Sequence, residues 1–263
     1  MVILTAPYGQ KSNRFLQHIH LDSFCRNNGI EFYNKFLLEM LQDYPNLKLH
    51  SGKIINYFMK GISNIQLSKL LSYCFDDRTQ TEYYKSLILK TKILFCSGWH
   101  FRSYETTLKY RSFYQKLFNP AIDKSFIKKV WLHKTNDYEK IIGVHVRRGD
   151  YTTFANGIYL YDDNIYINKM QQLASNLNNN CRFIIFSNDN ELDVVNFNTR
   201  IEKIVVSDNS VVIDHYLMSK CDYIIGPPST FSMWASYIGE TLLYHIEDKN
   251  DKITLEKFKV CDG

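Results

Sequence analysis

Short runs of apolar residues separated by amphipathic segments dominate the second half of the chain. The runs are nearly all apolar, which is typical of strands buried on both faces of a parallel sheet. Helical patterns separate most of them, and this alternation predicts a doubly wound α/β domain. The predicted strands are residues 141–146, 183–186, 204–206, 223–225 and 242–244, and the predicted helices are residues 163–177, 211–220 and 230–238.

The first half has a weaker pattern, which opens with a strand, a loop and a helix. The helix is predicted to begin with Ser12 as N-cap and to end at Asn28 and Gly29. The remaining predictions are a strand at 92–96 and helices at 65–73, 103–118 and 120–131. A boundary near residue 135 gives two predicted domains, residues 1–135 and 136–263.

Composition narrows the class of protein. A chain of 263 residues with 45% apolar content can bury one large core or two modest ones. A net charge of +5 is too small and too dispersed for a dedicated nucleic-acid binder, and it suits a small anionic substrate better. The six cysteines form no Cys-x-x-Cys pair, so they are expected to be reduced thiols without a metal.

The sequence also bears on where the protein works. The amino terminus has no basic leader, and no apolar window approaches the roughly 18 residues that span a bilayer, so the expected location is cytoplasmic. Residues 124–131 mix lysines with aromatic residues. This pattern fits either peripheral contact with a membrane or a partly buried helix.

Adjacent arginines follow the first strand of the predicted sheet. Arginine supplies only 9 of the 32 basic residues, yet Arg147 and Arg148 stand together where a doubly wound sheet places ligands. Two guanidinium forks can hold a diphosphate and could replace a metal ion. The alternative is an ordinary surface ion pair between Arg148 and Asp150.

A second group of polar residues lies at the predicted start of the helix at 230–238. Ser229, Thr230 and Ser232 stand where free backbone N–H groups and the helix dipole favour an anion, although plain N-capping needs no ligand. Asp214 could accept the N1–H and N2–H₂ donors of guanine, or it could be an ordinary carboxylate at a helix start.

The two groups carry a family resemblance. The run His-Val-Arg-Arg-Gly-Asp-Tyr at 145–151 resembles the HxRRxD signature of the α-1,2-fucosyltransferases, glycosyltransferase family 11. The run Ser-Thr-Phe-Ser-x-Trp at 229–234, after the helix that carries Asp214, resembles a later motif of the same family. Residues 9–17 resemble its amino-terminal Gly-Asn-Gln-x-Phe-Gln loop more loosely.

The resemblance implies a GT-B fold, in which two Rossmann-like domains face a cleft. It also implies an inverting transfer of L-fucose from GDP-β-L-fucose to the 2-hydroxyl of a galactose-type acceptor in a surface glycan, without an obligatory metal or cofactor. By the same resemblance the catalytic residues are Arg147, on the β-phosphate, and Asp150, and the donor-binding residues are His145, Arg147, Arg148, Asp214, Ser229, Thr230, Phe231, Ser232 and Asn13.

Several points stay open in the sequence. No general base is identified, because no acid lies in residues 151–160, where the α-1,6 relatives have a glutamate. Asp150 suits orientation of the guanidinium groups better than proton removal. Trp99 could stack on an acceptor sugar or belong to the core, and Asp22, His18 and His20 could face the cleft or pack within the fold. The alternatives for function are a transferase of another GDP-sugar or linkage, and a non-catalytic module that binds GDP or a glycan.

Overall fold

The computed structural model describes residues 1–50, 72–137, 139–189 and 191–263. These residues form two compact units, the first containing residues 1–121 with 262–263 and the second containing residues 122–261. The division therefore falls after Ala121 and not near residue 135. The physical reason is that Ile127 is buried among residues of the second unit, so its helix belongs there.

The first unit contains a four-stranded parallel sheet with strand order β2-β1-β4-β3. The strands are β1 (Val2–Leu4), β2 (Phe32–Tyr33), β3 (Tyr73–Cys74) and β4 (Leu94–Ser97). The helices are α1 (Lys11–Asn27), α2 (Leu47–His50), α3 (Thr81–Lys90), α4 (Tyr104–Lys109) and α5 (Arg111–Leu117), with 3₁₀ turns at Lys35–Met40 and Arg78–Gln80.

The second unit contains a five-stranded parallel sheet with strand order β7-β6-β5-β8-β9. The strands are β5 (Lys140–Val146), β6 (Cys181–Ser187), β7 (Ile204–Val206), β8 (Tyr223–Gly226) and β9 (Leu242–His245). The helices are α6 (Lys124–Val130), α7 (Asp163–Asn176), α8 (Val194–Asn198), α9 (Val211–Met218) and α10 (Thr230–Gly239), with 3₁₀ turns at Gly149–Thr152, Phe154–Gly157 and Leu255–Lys257.

Both faces of the second sheet are covered, as the apolar strands predict. Ile142 and Val144 pack on one face with residues of α7, whereas Ile141 packs on the other with residues of α9, α10 and α6. Alternate residues of β5 thus enter two different cores. All five strands end at the same edge, and β5 and β8 are neighbours there.

The predicted strands of the second unit are confirmed to within two residues at either end. In the first unit α1 begins with Gln10 as N-cap, so the prediction for Ser12 is wrong. The predicted helix at 103–118 is divided at Tyr110 into α4 and α5. Of the helix predicted at 65–73, residues 65–71 lie outside the described residues, and Tyr73 belongs to β3.

Helix α6 carries the lysine-rich segment singled out in the sequence. Ile127 is buried, whereas Phe126 and Val130 are 56% and 49% exposed. The predicted contact of this segment with a membrane stays a prediction. In the parts of the chain that the structure describes, no helix is long and apolar enough to cross a membrane.

Candidate functional site

The two sequence motifs meet at the carboxyl edge of the second sheet. Strand β8 passes so close to β5 that a Cβ atom at Gly226 would lie 2.7 Å from the carbonyl oxygen of His145. Only glycine fits this approach. Beyond the strand ends, the hydroxyl of Tyr151 donates a hydrogen bond to the carbonyl of Pro228. The HxRRxD loop and the loop before α10 are therefore in direct contact, and they lie where open α/β sheets bind ligands.

Arg147 differs from Arg148 in its ion pair, although the buried Nε of each lacks a hydrogen-bond partner among the described residues. Arg147 is the one paired with an exposed carboxylate. Its Nη2 donates to Asp150 Oδ2 at 3.0 Å, and its guanidinium lies 5.6 Å from the ring centre of Tyr151. The carboxylate of Asp150 is 59% exposed, so an incoming anion can share or replace this contact. The contact with Arg147 is compatible with the orienting role favoured for Asp150 from the sequence, and that role stays a prediction.

Arg148 points to different partners. Its Nη2 donates to Asp163, its Nη1 lies 4.0 Å from Asp189 Oδ2, and its backbone N–H donates to Asn188. Two carboxylates thus balance the guanidinium charge inside the unit. The ion pair with Asp150 considered from the sequence is formed by Arg147 instead. The prediction that Arg148 binds the donor stays a prediction, and its contacts are those of a residue that holds the loop in place.

His145, two residues before Arg147 on β5, is buried in a cluster of aromatic rings. The ring of Phe231 packs between two imidazoles, 5.0 Å from His145 and 4.1 Å from His215. Burial, followed by the neighbouring charges of Arg147, His245 and His215, lowers the pKa of His145 to about 3. His145 is therefore neutral at physiological pH, and its buried Nδ1 has no partner among the described residues.

The serines and the threonine predicted to bind an anion at the start of α10 differ in their contacts and exposure. Ser229 is the N-cap, and its Oγ accepts a hydrogen bond from the Phe231 backbone N–H at 3.2 Å. Ser232 is fully buried; its Oγ donates to the carbonyl of Ser229 and lies 3.3 Å from His245 Nε2. Thr230, the first residue of the helix, is partly exposed. An anion at this helix start would meet backbone N–H groups and Thr230 rather than the Ser232 hydroxyl.

Asp214 lies in the first turn of α9, close to the end of β7. Its Oδ1 accepts a hydrogen bond from the Ser207 hydroxyl. Burial, with a smaller contribution from the charge of Asp208, raises the pKa of Asp214 to about 6, against the lowering effect of the Ser207 hydrogen bond. A carboxylate that costs free energy to ionise suits a ligand that brings its own N–H donors.

Other predicted residues lie in the first unit. Asn13 is on α1 beside Gly9, and its donor contact stays a prediction. Asp22 is buried and accepts a hydrogen bond from the Tyr114 hydroxyl at 2.7 Å. His18 and His20 are buried as well, which is the packing role considered for them.

Four residues of the site were not singled out as ligands or supports from the sequence. Tyr151 joins the two loops, Asp163 and Asp189 balance Arg148, and His245 contacts Ser232. His245 could have been found, since it directly follows the predicted strand 242–244 at the ligand-binding edge. The two aspartates gave no signal, because they pair with Arg148 across long loops.

The fold is shared with solved fucosyltransferases. A mutant of Arabidopsis thaliana FUT1 in complex with GDP superposes with a TM-score of 0.61 at 12% identity, covering 98% of this chain and 73% of that one. NodZ from Bradyrhizobium gives 0.55 at 11% identity, covering 96% and 97%. POFUT1 in complex with GDP-fucose gives 0.54 at 9% identity, covering 91% and 94%. The chain therefore has the GT-B fold of this class of glycosyltransferases, and the predicted fold class is confirmed.

The sequence comparisons define the family. The pattern of glycosyl transferase family 11 matches residues 50–254, and the chain belongs to that family. The Escherichia coli α-1,2-colitosyltransferase is 25% identical over 273 aligned residues, which cover 90% of this chain and 87% of that protein. The resemblance found in the sequence motifs is confirmed.

Proposed function

We propose that this family 11 transferase moves L-fucose from GDP-β-L-fucose to the 2-hydroxyl of a galactose-type sugar in a surface glycan, with inversion. The observation that carries the proposal is Arg147: a cation at the carboxyl edge of the sheet whose ion-pair partner, Asp150, is exposed, whereas Arg148 pairs with two partly buried carboxylates. The proposal is supported by the FUT1 and POFUT1 structures, which hold GDP and GDP-fucose, and by the colitosyltransferase relative, which is an α-1,2-transferase.

The reaction follows from the charge of the leaving group. The acceptor hydroxyl oxygen bonds to the anomeric carbon and releases its proton, while the bond from that carbon to the β-phosphate oxygen breaks and its electron pair leaves with GDP. Negative charge grows on the β-phosphate as the sugar becomes oxocarbenium-like. A fixed guanidinium therefore stabilises the transition state more than the ground state. Arg147 supplies this charge in the proposal, and no metal is needed.

Asp214 and the start of α10 complete the donor site in this proposal. The second carboxylate oxygen of Asp214 would accept the guanine N–H groups, since Oδ1 already accepts the Ser207 hydroxyl. The first-turn N–H groups of α10 would bind the pyrophosphate together with Arg147, since the helix dipole favours negative charge at the helix start.

Nucleotide selectivity tests the proposal directly. Thermal unfolding of the purified protein is measured with GDP, UDP, ADP and CMP in EDTA, and again with Mg²⁺. GDP at 100 times its Kd adds about 2.7 kcal/mol, which is expected to raise Tm by about 5 °C in EDTA. The other nucleotides are expected to have little effect. A preference for UDP, or a response to GDP that needs Mg²⁺, would overturn the proposal.

The colitosyltransferase relative favours a second candidate for the sugar. Its name describes transfer of colitose in a 1,2-linkage. Turnover of a nucleotide-activated colitose much faster than that of GDP-fucose would assign this chain to that donor, with the roles of Arg147 and Asp214 unchanged.

A further inference from the structure

Two aromatic rings form an exposed stack at the carboxyl edge of the first sheet. Tyr8 lies in the loop after β1, and Trp99 lies in the loop after the neighbouring strand β4. Their ring centres are 5.0 Å apart with an angle of 15° between the planes. The guanidinium of Arg102 also lies over Trp99, 4.3 Å from its ring centre. Tyr8 is 42% exposed, so the open surface of this Tyr8–Trp99 platform comes largely from its ring.

The loop that carries Trp99 is fixed by contacts with its neighbours. Gly98 has φ +94°, and a Cβ atom there would lie 2.6 Å from Asp76 Oδ1. The same carboxylate oxygen accepts a hydrogen bond from the Trp99 backbone N–H at 3.1 Å. From α1, Gln17 Nε2 donates to the Gly98 carbonyl at 2.7 Å. The Trp99 ring, on which Tyr8 stacks, is therefore held in a fixed position, which lowers the ordering cost of binding.

Polar groups with free capacity surround the loop. Gln17 is only 3% exposed, and its Oε1 is buried without a hydrogen-bond partner among the described residues. Asp76, in the loop after β3, is exposed; its Oδ1 accepts from the Trp99 N–H and its Oδ2 from the Cys74 thiol, and each oxygen can accept a second hydrogen bond. Nδ1 of His100 accepts from Arg78 Nε at 3.0 Å, which leaves Nε2 as a donor in the neutral ring. Burial and the charges of Arg78 and Arg102 lower the pKa of His100, so the ring is neutral at pH 7.

We propose that the Tyr8–Trp99 platform binds a hexopyranose ring of the acceptor glycan. The C–H face of a pyranose packs on an aromatic ring and leaves its hydroxyl groups at the edge. There the Gln17 and Asp76 oxygens accept hydrogen bonds and His100 donates one. Aromatic surface combined with a few fixed polar groups is the usual composition of a small-molecule site. This inference rests on the proposed function for the nature of the ligand.

The chain offers a matched set of variants for the test. Tyr8→Ala removes the exposed ring, whereas Tyr8→Phe keeps it. Tyr83→Ala is the control, since Tyr83 is an exposed tyrosine of the same unit, 55% exposed, whose ring contact is with Tyr84. Lactose is the probe, and saturation-transfer NMR measures its binding to each protein. GDP-fucose hydrolysis without acceptor is measured in each sample.

We expect lactose to bind the wild type, Tyr8→Phe and Tyr83→Ala alike. Tyr8→Ala is expected to weaken binding by about tenfold, with hydrolysis of GDP-fucose unchanged. Equal lactose binding by Tyr8→Ala, or no binding by the wild type, would overturn the platform. So would a loss of hydrolysis in Tyr8→Ala, because the ring would then serve the donor. Failure of the proposed function is a separate result, namely no hydrolysis of GDP-fucose by the wild type.

Discussion

Replacing Arg147 with alanine is expected to reduce transfer about 100-fold to 1000-fold while the protein remains folded. The loss has this size because a preorganised donor to developing charge is removed. Stability is expected to change by less than about 1 kcal/mol, since the ion pair of Arg147 is with the exposed Asp150. The measurements are kcat/KM for GDP-fucose and Tm of the same preparation.

Arg148→Ala is the matched control for this experiment. It removes the adjacent guanidinium, but it also leaves Asp163 and Asp189, whose side chains are 18% and 23% exposed, without their cation. We therefore expect Arg148→Ala to lower Tm, whereas Arg147→Ala does not. Arg147→Lys keeps the charge but loses the planar fork, so it is expected to recover part of the rate. Normal turnover in Arg147→Ala, or its unfolding, would contradict the assigned role.

GDP binding is expected to weaken as the pH falls from 7 to 5. The pKa of Asp214 is raised to about 6 in the folded protein, and guanine needs the ionised carboxylate. At pH 5, one unit below this pKa, only about a tenth of the Asp214 carboxyl groups are ionised. The contribution of Asp214 to GDP affinity therefore falls about tenfold. Titration calorimetry with GDP at the two pH values measures the effect.

Asp214→Asn separates this effect from the titration of GDP itself, whose terminal phosphate also gains a proton near pH 6. The variant keeps the phosphate contribution, so the wild type should lose about tenfold more affinity than the variant. His145 cannot account for the difference, since its pKa is about 3. An identical pH dependence in both proteins would remove Asp214 from the guanine site.

The same pKa has a consequence for the free protein. Its value lies above the ordinary 3.8, so between about pH 4 and pH 6 the folded state binds more protons at Asp214 than the unfolded state does. The contribution of this group to stability therefore decreases as the pH rises through that range. In the proposed complex, the guanine N–H groups would offset this cost by donating to the carboxylate.

The parallel sheet of the second unit could be predicted because its strands are buried on both faces. Their continuous apolar runs leave little ambiguity, and the rule that ligands bind beyond the carboxyl ends placed His145 and Arg147 before any contact was known. Strand β2 is only two residues long and shows no alternation, so it gave no signal. The structural division falls after Ala121 and not near residue 135, because Ile127 of α6 is buried in a core of the second unit.

The motifs predicted which residues gather at the site better than what each residue does there. Nothing in the local sequence distinguishes Arg147 from Arg148. Their contacts differ because Asp163 and Asp189 both pair with Arg148 in the folded chain. Ser232 looks like an anion ligand at a helix start, yet the helix turns its hydroxyl into the core toward His245. Such distinctions depend on contacts between residues far apart in the chain, which no local pattern encodes.

The most direct test of the central claim is release of GDP from GDP-fucose by the wild-type protein in EDTA, without acceptor. We predict slow release with free fucose as the second product, and its loss in Arg147→Ala. Binding of GDP-fucose without any GDP release, or release that requires added Mg²⁺, would contradict a transferase in which an arginine supplies the charge.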